Sequence, residues 1–329
     1  MAMDDRIKAI TRQYPSRIPI SAGILPAAWM KHREALDAVV RRHPLLFGQQ
    51  TGQRDYDAVG RGTYVQGQHV DAWGCVWSNV KTGMDAIVTG HPAPTRESVR
   101  TLSIPDKDDG LPHGFMYLRL ADIRGFEEIM VDFAEEPPEL QMLIDKVLKY
   151  NLRQVERNLE AIDEPGQILY FGDDLGMQNS LPISPDKWRH YLQPCFSRIY
   201  APVKDAGHYV YMHTDGHILE IIADLVECGV DVINPQVGAN GLENLAAVCK
   251  GKVCVDLDLD RQKFPFWSPD EINAHVQEAV EILGSPAGGL WLRAEIGEDV
   301  PLENVEAICS ALERHSTYDS TEPDLAGDA

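Results

Sequence analysis

The feature that most constrains the fold is a regular alternation of strand and helix signals in the second half of the chain. Five short runs rich in β-branched and aromatic residues are each followed by a segment in which apolar residues recur at helical spacing. Ser184-Pro185 and Ser268-Pro269 mark helix starts, and Gly284 marks a helix end. This alternation predicts a parallel sheet with helical crossovers. The predicted strands are Gln167–Phe171, His208–Met212, Val230–Ile233, Lys252–Asp258 and Gly289–Ala294.

The fold class predicted from this alternation is α/β, as a (β/α)8 TIM barrel. The run of units lacks the GxGxxG turn of a dinucleotide-binding sheet. A length of 329 residues fits one barrel of roughly 250 residues with an insertion. We predict a single domain over residues 1–316, a loop and β-ribbon insertion at 49–112, and a disordered acidic tail at 317–329. In the first half, Arg17–Ala22 reads as a strand, Ala28–Arg42 and Pro138–Leu159 as helices, and Gly114–Leu120 as a return to the core.

The charge balance excludes some classes of partner. Thirty basic and 51 acidic residues give a net charge of −21, which opposes the counterion release that drives binding to nucleic acids and anionic membranes. The six cysteines form no CxxC pair, no secretory signal is visible, and no apolar run approaches about 20 residues. We therefore expect a soluble cytoplasmic protein that binds neither nucleic acid nor membranes.

Polar residues stand at the carboxyl end of every one of the five predicted strands. In a parallel barrel these ends face the active site, so the side chains are expected to converge on one cavity. Crowded carboxylates there would have shifted pKa values, and a bound cation would relieve their repulsion. The residues at these positions are Asp173, Asp174, His213, Asp215, Asn234, Gln236, Asp256, Asp258 and Glu295.

Structural explanations compete with the functional ones. Asp173 or Asp174 is a candidate cap, His213 a candidate core histidine bonded to a carbonyl, and Glu295 a candidate solvated loop residue. Asp258 alternates with apolar neighbours, which places it on the interior face of a barrel strand. Trp73 in the insertion would either line an aromatic pocket or belong to a minor core.

Several motifs in this order resemble the uroporphyrinogen decarboxylase superfamily, and within it the cobalamin-dependent methyltransferase branch. The resemblance extends from about Ile7 to about His315. Each motif alone is weak, but their combination is specific. The motifs are DAWGCVW at 71–77 before His91-Pro92, GDDLGMQ at 172–178, YMHTDG at 211–216, LVECGVDVINPQ at 225–236, DLDRQ at 258–262 and VPLENV at 300–305.

The resemblance implies a methyltransferase rather than a decarboxylase. The decarboxylases carry an arginine-rich segment that grips substrate carboxylates, and the corresponding stretch here, Ile20–Leu25, has no arginine. Many of the methyltransferases hold zinc through an HxC pair and a later cysteine. Here Asp215 stands in place of the first cysteine and Glu295 near the second, so a harder zinc site of His213, Asp215 and Glu295 is implied.

The function expected from the sequence is O-demethylation: a methyl group moves from a small methoxylated, aromatic substrate to the Co(I) corrinoid of a partner corrinoid protein, which supplies the cobalamin. The alternatives are decarboxylation of a carboxylated substrate and an inactive barrel that serves as a binding protein. The expected catalytic residues are Asp173, Asp174, His213 and Asp215, and the expected substrate-binding residues are Gln178, Asn234, Gln236, Asp258 and Trp73.

Overall fold

The structure is a computed structural model that describes residues 4–60, 62–107 and 110–317. Within these ranges, nine strands form two sheets. The strands are β1 (Ile20–Ile24), β2 (Gly67–Val70), β3 (Val76–Asn79), β4 (Ile87–Gly90), β5 (Ile168–Gly172), β6 (Tyr209–Thr214), β7 (Val232–Pro235), β8 (Cys254–Asp258) and β9 (Leu290–Ile296).

Fourteen α-helices accompany these strands in the described part of the chain. They are α1 (Asp5–Thr11), α2 (Pro26–Arg42), α3 (Pro44–Phe47), α4 (Arg96–Thr101), α5 (Tyr117–Arg124), α6 (Phe126–Glu135), α7 (Pro138–Glu160), α8 (Pro185–Tyr191), α9 (Gln193–Asp205), α10 (Ile222–Glu227), α11 (Val237–Asn240), α12 (Leu242–Cys249), α13 (Pro269–Leu283) and α14 (Leu302–His315).

The main sheet has six parallel strands in the order β1-β9-β8-β7-β6-β5 and is curled like part of a barrel. The predicted alternation of strands and helices in the second half is therefore confirmed. Two differences concern the helices: the helix predicted after Ser184 is divided into α8 and α9, and Gly114–Leu120 leads into α5. The described residues between β1 and β5 add no parallel strand to this sheet, so six strands are present where a complete (β/α)8 barrel has eight.

The predicted insertion contains a small antiparallel sheet in the order β2-β3-β4. The residues at 49–112 carry turn and aromatic residues without a helical period, which is why a β-ribbon structure was readable from the sequence. The short helix α4 follows within the same segment and is capped by Thr95. The predicted tail at 317–329 lies outside the described residues except for Thr317.

Helix α13 shows how local signals fix an element. Ser268 and Glu271 form a reciprocal capping box, and Pro269 occupies the first turn, where its missing N–H is harmless. Ile272, Val276 and Leu283 recur on one face and are buried. The helix therefore begins and packs as its sequence predicts.

The two faces of the main sheet have different environments. Met212, Ile233 and Leu257 belong to the large core that the sheet shares with the helices. On the opposite, inner face, Tyr211 and Trp291 belong to a second cluster that also contains Ala9 and Ile10 of α1. Because strand side chains alternate, the polar residues in register with this second cluster also point to the inner face. They are His213, Asn234, Asp256, Asp258, Arg293 and Glu295.

No helix in the described ranges is both long enough and apolar enough to span a bilayer.

Candidate functional site

His213 lies at the carboxyl end of β6, and its ring is oriented by Asn234 on the neighbouring strand β7. Nδ1 of His213 lies 2.6 Å from Oδ1 of Asn234. The Asn234 amide nitrogen donates to the backbone oxygen of Asp256 at 2.6 Å, which fixes Oδ1 as the acceptor toward the histidine. Nδ1 of His213 therefore carries its hydrogen, and Nε2 is the atom available for chemistry. The alternative of a histidine bonded only to a backbone carbonyl is wrong.

Carboxylates surround Nε2 of His213. Oδ1 of Asp215 lies 3.3 Å from it and Oδ1 of Asp174 lies 3.9 Å from it. Burial lowers the pKa of His213, but the bonds to Asp215 and Asn234 and the charge of Asp174 outweigh burial and raise the pKa to about 8. A cation, either a proton or a metal ion, is therefore favoured at this nitrogen.

His113 is a site residue that the sequence reasoning missed. It lies outside the main sheet, yet its Nε2 is 3.2 Å from Oδ1 of Asp174 and its ring centroid is 5.4 Å from that of His213. Gly172, the last residue of β5, makes this possible, because a Cβ there would lie 2.5 Å from Nδ1 of His113. The only sequence signal was a polar residue between the insertion and the buried run that begins at Phe115.

His113, Asp174 and His213 form a group with the donor atoms of a metal site. One ligand atom of each residue lies within 4.8 Å of the others. Burial raises the pKa of Asp174, but the hydrogen bond from His113 and the charges of both histidines outweigh burial and lower the pKa below its usual value. Two imidazole nitrogens and a carboxylate oxygen match the three protein ligands of a catalytic zinc site.

Asp173 is directed away from this group. It is fully buried, and its carboxylate accepts hydrogen bonds from the backbone N–H groups of Met116, Tyr117 and Leu118 at the start of α5. Burial raises its pKa to about 7, against the effect of these donors. The carboxylate therefore serves as a cap for α5, and the structure does not offer it to a substrate.

Asp215 and Glu295, two of the three predicted zinc ligands, are joined by an arginine. Arg261 donates one N–H group to Oδ2 of Asp215 at 2.8 Å and another to Oε1 of Glu295. The guanidinium thus occupies the place between the two carboxylates in which the predicted zinc ion would sit. The structure keeps His213 in the candidate metal group and brings in His113 and Asp174 in place of Asp215 and Glu295. Arg261 belongs to the DLDRQ motif, which begins at the end of a strand. This motif is the sequence feature that could have identified Arg261 as a site residue.

A cleft beside this ion pair contains three of the predicted substrate-binding residues. Gln178, Gln236 and Asp258 line it together with Arg261. Gln236 also accepts a hydrogen bond from the backbone N–H of Gly216 at 3.0 Å. Asn234 is 1% exposed and reaches His213 instead, so its position favours orientation of the histidine over substrate contact.

The loops that follow β5 and β6 approach each other closely because both contain glycine. Gly216 has φ of +83°, and a Cβ on it would lie 2.3 Å from the carbonyl carbon of Gly176. Hydrogen bonds from Gly176 to Asp215 and from His217 to Met177 join the two loops. This contact holds Asp174 and Asp215 on adjacent loops, and the backbone N–H of Asp215 donates to Oδ1 of Asp174 at 3.1 Å.

Trp73 is not brought to this group. It is 6% exposed, belongs to the large core, and packs edge-on against Tyr150 of α7 with ring centroids 5.3 Å apart. Trp73 is thus a core residue, but of the large core rather than of a minor one, and the substrate-pocket explanation does not fit this environment. The DAWGCVW motif is held together by Asp71, which accepts from the backbone N–H of Trp73 and Cys75 and from the Trp77 indole.

Comparisons with known proteins identify the family. Residues 117–315 match the sequence profile described as uroporphyrinogen decarboxylase (URO-D). Among curated protein sequences, none matches this chain.

Among solved structures, a methyltransferase from Methanosarcina mazei superimposes with a TM-score of 0.62 at 17% sequence identity, over 94% of this chain and 97% of that protein. This match shows a shared fold. A B12-independent methionine synthase from a Shewanella species superimposes with a TM-score of 0.40 at 14% identity, over 70% of this chain and 67% of that protein.

Proposed function

Because the chain belongs to the uroporphyrinogen decarboxylase family, we propose that it is a methyltransferase that demethylates a small methoxylated, aromatic substrate. The methyl group passes to the Co(I) corrinoid of a partner protein. The single observation that carries the proposal is the group of His113, Asp174 and His213 at the ends of the parallel strands. The fold shared with a methyltransferase supports it.

Decarboxylation, the second candidate, is favoured by the family name and opposed by the charges at the site. A carboxylated substrate needs unpaired cations, but β1 (Ile20–Ile24) contains no arginine. Arg261 is already bonded to two carboxylates, and Arg293 of the inner face stands opposite the Asp258 carboxyl group in the sheet register. Together with the net charge of −21, this arrangement favours a neutral or weakly charged methyl donor.

Zinc fits the residues that are present. His113, Asp174 and His213 would hold it, and Asn234 orients the second nitrogen of His213, as is usual for metal-bound histidines. A zinc ion bound there would act as a Lewis acid toward an ether oxygen. Aryl ethers need this assistance, because a phenolate leaving group has a pKa of about 10.

The other residues of the chain have binding and positioning roles in this proposal. Gln178 and Gln236 line the cleft and would orient the substrate through their amide groups. Arg261 fixes Asp215 beside His213. Asp173 stabilises the start of α5, and α5 follows His113 along the chain.

Two finer points about the molecule belong to the same proposal. We place the six-stranded sheet within the (β/α)8 barrel architecture, because the first strand β1 pairs with the last strand β9, as closure requires. The backbone N–H of Gly114 donates to the backbone oxygen of Gly172 at the open edge of β5, at 2.7 Å, where a further strand would pair.

We propose a cytoplasmic location because all six cysteines are free thiols.

The test combines metal analysis with an assay of methyl transfer. Purified protein is analysed for zinc and incubated with methoxylated aromatics and chemically reduced cobalamin, and the demethylated phenol is measured. We expect about one zinc per chain and phenol formation that His213→Ala and Asp174→Ala abolish. Release of carbon dioxide without cobalamin would establish decarboxylation instead, and absence of both reactions would favour a binding protein.

A further inference from the structure

Asp258, the last residue of β8, is a carboxylate to which no side chain or backbone group of the described residues donates a hydrogen bond. It is 3% exposed, and its Oδ1 is fully shielded without a partner in the described part of the chain. Its side chain borders the cleft that Gln178, Gln236 and Arg261 also line. A buried ionised carboxylate without donors is costly, and protonation removes most of that cost.

The neighbouring carboxylates of the site differ from Asp258 in that each accepts at least one hydrogen bond. Asp174 accepts from His113 and from the backbone of Asp215, and both Asp215 and Glu295 accept from Arg261. Each of these groups thus has a hydrogen-bond donor for at least one carboxylate oxygen. Among these carboxyl groups, Asp258 is therefore the one whose surroundings favour the protonated, neutral form.

The charges that face Asp258 come from β6, from β9 and from the loops after β6 and β8, among them Arg293, its register partner on β9, and they partly cancel. Arg261 and His213 lower its pKa, Glu295 and Asp215 raise it, and burial, the largest effect, brings the pKa to about 7. A carboxylic acid near neutrality is suited to proton donation at physiological pH.

We propose that Asp258 is the acid that protonates the leaving oxygen of the methyl donor, an inference that rests on the proposed methyl transfer. The bond between the methyl carbon and the ether oxygen breaks, and its electron pair stays on the oxygen. That oxygen takes the proton of Asp258, while the methyl group forms its new bond with the electron pair of the Co(I) acceptor. The phenol then leaves, and Asp258 regains a proton from the solvent.

The strand order separates Asp258 on β8 from His213 on β6 by the single strand β7. Gln236 and Asp258 form a parallel bridge between β7 and β8, one step beyond the row of His213 and Asn234. Asp258 therefore lies across β7 from the His113, Asp174 and His213 group. His213 lies close enough to Asp258 for its charge to lower the pKa of that carboxyl group, so the two residues share this end of the sheet.

The test is Asp258→Asn, which keeps the size of the side chain and removes the acid. Methyl transfer to reduced cobalamin is measured with an unsubstituted methoxyphenol and with a nitro-substituted one, whose leaving group needs no proton. We expect kcat to fall by about 100-fold or more with the first substrate and by less than about 10-fold with the second. Asp186→Asn, whose side chain is 96% exposed on α8, is the matched control and should leave both rates unchanged.

A second variant distinguishes the loss of the acid from a loss of folding. Asp258→Ala should be inactive with the unsubstituted substrate and should regain activity when formate is added as an external acid. Equal losses with both substrates, or no rescue by formate, would overturn the proton-donor role. Unchanged rates in Asp258→Asn would also overturn it while leaving the proposed methyl transfer intact. Absence of transfer by the unaltered protein with every substrate would instead overturn the proposed function.

Discussion

Nδ1 of His213 lies 2.6 Å from Oδ1 of Asn234, so an amide on one strand fixes the orientation of the histidine on the next. The amide is itself held by the backbone oxygen of Asp256. This relay leaves Nε2 of His213 directed toward Asp174 and Asp215. The arrangement of side chains in the candidate site therefore depends on Asn234, which is buried beneath it.

Asn234→Ala is expected to weaken zinc binding without removing a ligand. Loss of the bond to Nδ1 frees the ring of His213, and loss of such an outer partner typically lowers metal affinity by about 10–100-fold. Competition with a chromogenic chelator measures the change. Gln277→Ala on the exposed face of α13 is the control, and an unchanged affinity in folded Asn234→Ala would contradict the metal site proposed here.

Gly172→Ala is expected to displace His113. A Cβ at this position would lie 2.5 Å from Nδ1 of the ring, so the ring must move. We expect weaker zinc binding and a loss of about 1–3 kcal/mol in the free energy of unfolding, as is typical of overpacking. Gly62→Ala, where no atom lies within 4 Å of the new Cβ, should change neither quantity. Normal zinc affinity in Gly172→Ala would mean that His113 is not a ligand.

Asp173→Ala is expected to destabilise the protein. The substitution leaves the backbone N–H groups of Met116, Tyr117 and Leu118 without their acceptor in a buried place. One lost cap costs about 1–2 kcal/mol, and unpaired buried donors add to this loss. Urea unfolding measures it, with the exposed Asp186→Ala as control. A full loss of activity at unchanged stability would instead support the catalytic role that the sequence suggested.

The stability of the protein should depend on the proton of Asp258. The folded pKa is about 7, against an ordinary value of 3.8, so the folded state binds the proton more tightly than the unfolded state. The contribution of Asp258 to the free energy of unfolding therefore falls as the pH rises from about 4 to about 7, by up to about 4 kcal/mol.

Asp258→Asn removes this contribution, so its stability relative to the unaltered protein should increase across that pH interval. Urea unfolding at pH 4.5, 5.5, 6.5 and 7.5 measures the difference between the two proteins, with the same series on Asp186→Asn as control. A constant difference between Asp258→Asn and the unaltered protein would show that Asp258 is ionised throughout.

The sequence by itself determined the order of strands and helices in the second half of the chain and the strand ends at which polar residues gather. Strand propensity, capping boxes and helical spacing are local properties, so they are readable without the fold. The positions of His213, Gln178, Gln236 and Asp258 in the fold were readable for the same reason, since each lies at or after a recognisable strand end.

Only the tertiary structure decided which of these groups act together. His113 reaches Asp174 across the open edge of β5, Arg261 bridges Asp215 and Glu295, and Asp173 turns to cap α5. These contacts join residues 34 to 61 positions apart in the chain. Hydrogen bonds and ion pairs form wherever the packed elements bring donor and acceptor together, and no local pattern in the sequence predicts which residues these will be.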